Sequence, residues 1–180
     1  RRQRQMCIRD RLVRECLKLT GISGGIEITS TADIPGKGTG LGSSSSYTVG
    51  LLNALYEYKK TPIDRYKIAS EACDIEINKC GEPIGKQDQF AAAFGGLKMY
   101  EFMPDNSVKI TDINCSDSFK SLLNESNISF YLGSTRSASK ILKHQTKISS
   151  NSNKKMILRR MANIAREFAH AIQDSNFDLV

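Results

Sequence analysis

Apolar side chains recur every three or four residues after a run of four serines at positions 43–46, which is the spacing of one face of an α-helix. The pattern predicts an amphipathic helix over residues 43–58. Its apolar face is predicted to consist of Tyr47, Leu51, Ala54, Leu55 and Tyr58.

A second helix is predicted from Thr61 to about Cys80. Thr61 is its expected N-cap, Pro62 its first helical residue, and Asp64 an acid in its first turn. At 100° per residue Glu76 falls at the edge of the apolar face, so its carboxylate is expected to be half-buried. The predicted apolar face is Tyr66, Ala69, Cys73, Ile77 and Cys80.

Alternating apolar and polar positions predict strands elsewhere. Residues 26–29 predict a strand that leads into a glycine-rich segment, and residues 97–102 and 108–113 predict a hairpin. Mixed helices and sequential strands indicate an α+β fold with antiparallel pairing. The other predicted elements are helices at 87–94 and 117–123, a strand at 128–132, a polar linker at 149–153 and an amphipathic helix after it.

The glycine-rich segment, residues 35–47, reads Pro-Gly-Lys-Gly-Thr-Gly-Leu-Gly-Ser-Ser-Ser-Ser-Tyr. Glycines let backbone N–H groups approach an anion, and the helix that follows directs its positive dipole end to the same place. The segment is therefore predicted to bind nucleotide phosphates. A Walker A loop is excluded because neither Gly-Lys pair is followed by Ser or Thr, and the glycine spacing also excludes a dinucleotide fingerprint. The alternative is a flexible Ser/Gly linker, which a following amphipathic helix disfavours.

The segment resembles the second signature motif of the GHMP kinases, through Pro35 and Gly40-Leu41-Gly42-Ser43-Ser44-Ser45. Residues 82–96, Glu-Pro-Ile-Gly-Lys-Gln-Asp-Gln-Phe-Ala-Ala-Ala-Phe-Gly-Gly, resemble the sugar-kinase branch, in particular the D-glycero-D-manno-heptose 7-phosphate kinases. The resemblance covers roughly residues 26–142. It implies a GHMP-kinase-like α+β fold, similar to the second domain of ribosomal protein S5.

The same resemblance implies a truncated N-terminal ATP-binding domain at 12–133 and the start of a C-terminal domain at 134–180. The first and third family motifs are not found, so the sequence is interpreted as an internal fragment, which is expected to be inactive in isolation. Residues 1–11 lack helical or strand periodicity and are predicted to be non-native or disordered.

An ATP-dependent sugar kinase is the activity that the resemblance implies, with the anomeric hydroxyl of a heptose 7-phosphate or a similar sugar as acceptor. Asp88 would take the hydroxyl proton and contact the sugar, and Ser44 with Glu76 would hold Mg²⁺. From the residues alone, a solvated acid at the rim of the helix is the favoured interpretation of Glu76, and Asp88 is an ordinary first-turn acid. The motif at residues 82–96 reverses the preference for Glu76. The ATP phosphates are assigned to Gly38, Thr39, Gly40, Leu41, Gly42, Ser43, Ser44 and Ser45.

Two other functions stay open: a galactokinase- or fucokinase-type enzyme, and a catalytically silent relative that binds a sugar or nucleotide. The joint presence of Ser44, Glu76 and Asp88 favours an enzyme. Arg136, in a polar loop after the predicted strand at 128–132, is a further candidate for contact with an anionic substrate group, with a surface salt bridge as the alternative.

The resemblance implies small-molecule partners, ATP and a sugar phosphate, and the composition disfavours two other kinds of partner. The net charge is +7, but five arginines and one aspartate in residues 1–11 supply +4 of it, which disfavours nucleic-acid binding. No apolar run is long enough to span a bilayer, so no membrane partner is expected. Five cysteines without a Cys-x-x-Cys pair disfavour zinc and disulfides, and without a visible signal peptide they predict a cytoplasmic protein.

Overall fold

The computed structural model describes residues 8–31, 41–128, 130 and 152–179. They form two compact units, one made of the described residues up to Phe94 and the other of those from Gly95 onward. Helices and one two-stranded antiparallel sheet give the predicted α+β content. The domain boundary at residue 133 stays a prediction. No helix in the described ranges is both long and apolar enough to cross a membrane.

Helix α2, Ser43–Tyr58, organises the first unit and has the predicted extent. It packs against helices α1 (Ile8–Thr20), α3 (Arg65–Cys73) and α4 (Gln87–Phe94). Contact with three helices buries more of the α2 surface than the single apolar stripe that the sequence predicted. The predicted apolar face is therefore partly wrong. Ala54 and Tyr58 are exposed, and Thr48, Val49 and Leu52 are buried instead.

The second predicted helix is two elements. Asp64, not Thr61, is the N-cap: its side chain accepts a hydrogen bond from the Lys67 N–H at 2.8 Å. The α-helix ends at Cys73 and continues as a π-helix over Asp74–Lys79. A π-helix takes more residues per turn, so a stripe extrapolated at 100° per residue no longer holds beyond Cys73.

Inside the π-helix the change of pitch turns Ile75 and Glu76 into the core and leaves Ile77 half-buried. The predicted half-burial of Glu76 is therefore wrong, because its side chain is only 1% exposed. The element closes where the Cys80 N–H donates to the Ile75 carbonyl oxygen at 2.8 Å, five residues back.

Helix α1 is held to the end of the π-helix by Arg11. Its guanidinium donates to the Cys80 carbonyl oxygen at 3.1 Å and to Glu82 Oε1 at 3.0 Å. Residues 8–11 are helical, whereas the origin of the whole segment 1–11 stays a prediction. The strand predicted at 26–29 is not formed: Ile26 and Ile28 pack on the core, but a strand needs a hydrogen-bonded partner and the described residues supply none.

The second unit contains the predicted hairpin, β1 (Lys98–Phe102) and β2 (Val108–Asp112), paired antiparallel with Tyr100 opposite Ile110. Its apolar cluster consists of Ile113, Phe119, Ala169 and Ile172. Of the strand predicted at 128–132, residues 128 and 130 are not in a strand and the other three lie outside the described residues. The remaining elements are α5 (Asp117–Glu125), α6 (Ser152–Gln173), which begins inside the predicted linker, and a 3₁₀ turn at Phe177–Leu179.

Candidate active site

The described end of the glycine-rich segment turns directly into α2. Gly42 is the N-cap residue, with φ of 63° and ψ of 23°, and its carbonyl oxygen accepts from the Ser46 N–H at 3.0 Å. Among the described residues, no side-chain hydrogen bond caps this helix end. Uncapped N–H groups of a first helical turn, together with the helix dipole, are suited to bind an anionic oxygen.

Asp88 lies against this turn. A Cβ atom added to Gly42 would lie 3.1 Å from Asp88 Oδ2 and 3.2 Å from its Cγ, tighter than ordinary contact. The Asp88 side chain is exposed in the first turn of α4. Two features thus favour glycine at position 42: the left-handed backbone and the Asp88 carboxylate beside it.

Glu76 is the buried centre of the site, and its two carboxylate oxygens have different partners. Oε2 accepts hydrogen bonds from Ser44 Oγ at 3.1 Å and from Ser45 Oγ at 3.2 Å. Oε1 accepts from Gln89 Nε2 at 3.1 Å. One side chain therefore joins the π-helix to the first turns of α2 and α4.

The electrostatics of Glu76 are dominated by burial, which raises the pKa of its carboxyl group. Hydrogen bonds from Gln89, Ser45 and Ser44 oppose this rise, because they stabilise the ionised form. None of the ion pairs among the described residues includes Glu76. A buried carboxylate that has hydroxyl neighbours and no cation partner among the described residues is suited to bind a positively charged ion.

The donor set fits Mg²⁺. Magnesium takes oxygen ligands and is usually held by one or two carboxylates together with substrate phosphates. Ser44 and Glu76 supply one hydroxyl and one carboxylate beside the uncapped N-terminus of α2. The described residues contain no group of three or more His, Cys, Asp and Glu that could hold a metal.

The structure gathers Ser44, Glu76 and Asp88 around the start of α2, together with Ser43 and Ser45. Leu41 precedes the turn with its side chain 67% exposed. The roles assigned to these residues stay predictions. The other predicted site residues, Gly38, Thr39, Gly40 and Arg136, lie outside the described residues.

The sequence did not indicate Gln89 or Thr48, both of which are fully buried beside Glu76. Gln89 had one signal: it is a polar residue next to Phe90 in an Ala- and Phe-rich helix, directly after Asp88. Thr48 had none, since it lies off the predicted apolar stripe of α2.

Comparison with known proteins places this site in a family. A model of the GHMP kinases N-terminal domain matches residues 7–96, which is half of the chain. The chain is 34% identical over 114 residues to a D-glycero-alpha-D-manno-heptose 7-phosphate kinase of Campylobacter jejuni, covering 63% of this chain and 33% of that enzyme. It is 40% identical over 84 residues to a galactokinase of Pyrococcus furiosus, covering 47% of this chain and 22% of that enzyme.

Fold and site define an α+β protein whose first unit is built around a glycine-serine turn and a buried carboxylate. The chain belongs to the GHMP kinase family, as the resemblance of its two motifs implied. It spans a third or less of the length of these two relatives.

Gly42→Ala is expected to lower the free energy of unfolding by about 1–2 kcal/mol, because alanine disfavours the left-handed backbone by that amount. Its methyl group would also displace the Asp88 carboxylate. Gly50→Ala is the matched control, since Gly50 lies inside α2 with open space around it and alanine there should stabilise by about 1 kcal/mol. Urea unfolding measures both. Equal stabilisation by the two substitutions would contradict the tight contact at Gly42.

Glu76→Gln should stabilise the metal-free protein increasingly as the pH rises. The pKa of Glu76 is raised in the folded protein, so its contribution to stability is full below its ordinary value of 4.5 and is lost as the pH rises through the folded value. Glutamine removes this loss. The measurement is the difference in urea unfolding free energy between Glu76→Gln and wild type across the acid-to-neutral range, with the exposed Glu57→Gln as control. A difference independent of pH would refute the assignment.

Proposed function

We propose that this chain is the nucleotide-binding part of an ATP-dependent sugar kinase. The acceptor is the anomeric hydroxyl of a heptose 7-phosphate or a similar sugar. The observation that carries the proposal is the position of Ser44, Glu76 and Asp88 around one uncapped helix N-terminus. Phosphoryl transfer requires this combination of positioned phosphates, a metal-holding pair and a carboxylate for the acceptor hydroxyl.

The phosphates of ATP bind at the start of α2. The Gly42 turn and the following serines present N–H groups and hydroxyls there, and the helix dipole favours negative charge. Gly38, Thr39 and Gly40, which lie outside the described residues, are assigned to the same phosphate-binding site on the resemblance of the motif. The lack of a side-chain cap supports the assignment, because a capping side chain would compete with a phosphate oxygen for the same donors.

Ser44 and Glu76 would hold Mg²⁺, and their Oγ and Oε2 atoms lie 3.1 Å apart. When bound, Mg²⁺ would supply positive charge that offsets the negative charge of the phosphates. Burial of Glu76 excludes water from this ligand, and Gln89 and Ser45 hold its carboxylate in one orientation.

Asp88 takes the proton of the acceptor hydroxyl. It is exposed and close to Gly42, so a sugar approaching from solvent reaches it beside the phosphate-binding turn. Its contribution is positioning as well as basicity, because the hydroxyl proton leaves late when the transition state is loose.

A heptose 7-phosphate is the proposed acceptor because the Campylobacter jejuni relative is named as a heptose 7-phosphate kinase. Its match covers 63% of this chain, against 47% for the galactokinase. Galactose or fucose is the alternative within the class, supported by the galactokinase match. Arg136 is proposed to contact the anionic group of the sugar. A cytoplasmic location also belongs to the proposal, supported by free thiols at Cys16, Cys73, Cys80 and Cys115.

The full-length protein that contains this chain should consume ATP when a heptose 7-phosphate and Mg²⁺ are present. A coupled assay of ADP release measures this, with galactose and fucose in parallel reactions. Turnover with galactose alone would move the enzyme to the galactokinase branch. A folded protein that binds ATP and phosphorylates none of the sugars would support the catalytically silent alternative.

Asp88→Asn in the full-length protein should lower kcat about 10²- to 10⁴-fold, the usual contribution of a general base. The amide preserves shape and cannot take the proton, so ATP binding should change little. Asp117→Asn is the control, because Asp117 is also a first-turn helical acid but lies in the second unit. An effect confined to the sugar KM would remove Asp88 from catalysis and leave it a binding role.

A further inference from the structure

Gln89 is a fully buried polar residue whose side chain is only half satisfied. Its Nε2 donates to Glu76 Oε1 at 3.1 Å. Its Oε1 is buried and has no hydrogen-bond partner among the described residues. Buried acceptors are nearly always paired, so this exception calls for a physical reason.

The orientation of the amide gives that reason. A carboxylate only accepts hydrogen bonds, so a Gln89 side chain rotated by half a turn would place an acceptor against an acceptor. The observed orientation leaves the amide oxygen unpaired and keeps the donor on Glu76. The local structure therefore maintains the bond to Glu76 at a cost in stability.

This bond makes the two oxygens of Glu76 unequal. Oε1 is held by Gln89, and Oε2 is left facing the hydroxyls of Ser44 and Ser45. Removal of Gln89 would leave Glu76 Oε1 without its hydrogen bond, and the carboxylate would be held only through Oε2 by Ser44 and Ser45. The orientation of the carboxylate plane, and with it the direction of the lone pairs beside Ser44, thus depends on Gln89.

Helix α4 carries Gln89 directly after Asp88, so one helical turn supports both carboxylates of the site. The helix is anchored by Phe90, which meets the Tyr66 ring edge-on at 5.3 Å and stacks with the Phe94 ring at 6.2 Å between centroids. The contact of Phe90 with Tyr66 holds α4, and with it Gln89, against α3.

We propose that Gln89 is a positioning residue for metal binding: its amide holds Glu76 so that Oε2, beside Ser44, is the oxygen presented to Mg²⁺. This inference rests on the proposed function, because it takes Ser44 and Glu76 as the metal-holding pair. It adds a residue that touches neither metal nor substrate and acts only through Glu76.

The test uses the full-length protein, Mn²⁺ as a paramagnetic probe and a non-hydrolysable ATP analogue. Gln89→Met keeps the length of the side chain and removes the donor, and Gln87→Met is the matched control, since Gln87 is exposed in the same helix. Electron paramagnetic resonance should show Mn²⁺ bound about 10- to 100-fold more weakly by Gln89→Met, the usual loss when a residue that orients a metal ligand is removed. Gln87→Met should bind as wild type does.

A folded Gln89→Met protein with wild-type affinity for Mn²⁺ would overturn the inference. Gln89→Asn gives an independent comparison if the methionine variant does not fold, because its shorter amide does not reach Glu76. It should also weaken Mn²⁺ binding, and unchanged binding would again overturn the inference.

Steady-state kinetics separates positioning from a purely structural role. Positioning predicts that the Mg²⁺ concentration for half-maximal rate rises while the sugar KM stays constant. A lower melting temperature with unchanged Mg²⁺ dependence would overturn it. If wild type binds the Mn²⁺–nucleotide complex but phosphorylates no sugar, the sugar-kinase proposal fails, and the resonance measurement still decides the role of Gln89.

Discussion

Burial of the Glu76 carboxylate is the constraint on which the first unit depends. A charged group removed from water destabilises a fold unless hydrogen bonds or an opposite charge compensate it. Three side chains from two other helices supply the hydrogen bonds, and they come from Ser44 and Ser45 on α2 and Gln89 on α4. The packing of α2 against α4 therefore depends on one carboxylate, which holds the first turns of the two helices side by side.

That placement also explains the neighbourhood of Gly42 and Asp88. With α2 and α4 joined through Glu76, the residue before α2 and the first turn of α4 come into contact, and a Cβ atom at position 42 would be in tight contact with the Asp88 side chain. Features that cost stability are concentrated here: an unpaired amide oxygen and a buried acid with a raised pKa. Such concentration is typical of functional sites.

The sequence predicted elements wherever the local pattern decides the structure. The start and end of α2, the short helix α4 and the hairpin were all evident from spacing and from flanking glycines. The burial of Glu76 was not evident from the sequence. A π-helix changes the helical pitch from Asp74 onward, and no residue in this segment indicates that change. The strand at 26–29 failed for a different reason, since strand formation depends on a partner that local alternation does not reveal.

The site was predicted unevenly for the same physical reasons. Ser44 and Asp88 stand next to helix starts, which the sequence marks with glycine and polar residues. Gln89 acts through a hydrogen bond to a residue thirteen positions away, and such a contact exists only once α3, the π-helix and α4 have packed. The predicted roles of Ser44, Glu76 and Asp88 came from the resemblance to the family, whereas the hydrogen-bond partners of Glu76 came from the structure.

The most direct measurement is a crystal structure of the full-length protein with Mn²⁺ and a non-hydrolysable ATP analogue, in which anomalous scattering locates the metal. The prediction is one metal peak in contact with both Ser44 Oγ and Glu76 Oε2, at about 2.0–2.1 Å if Mg²⁺-like octahedral geometry is adopted. The nucleotide phosphates should lie at the start of α2. A metal bound by the phosphates alone, with Glu76 still enclosed by its hydrogen bonds, would contradict the assignment of this carboxylate as the metal-holding group.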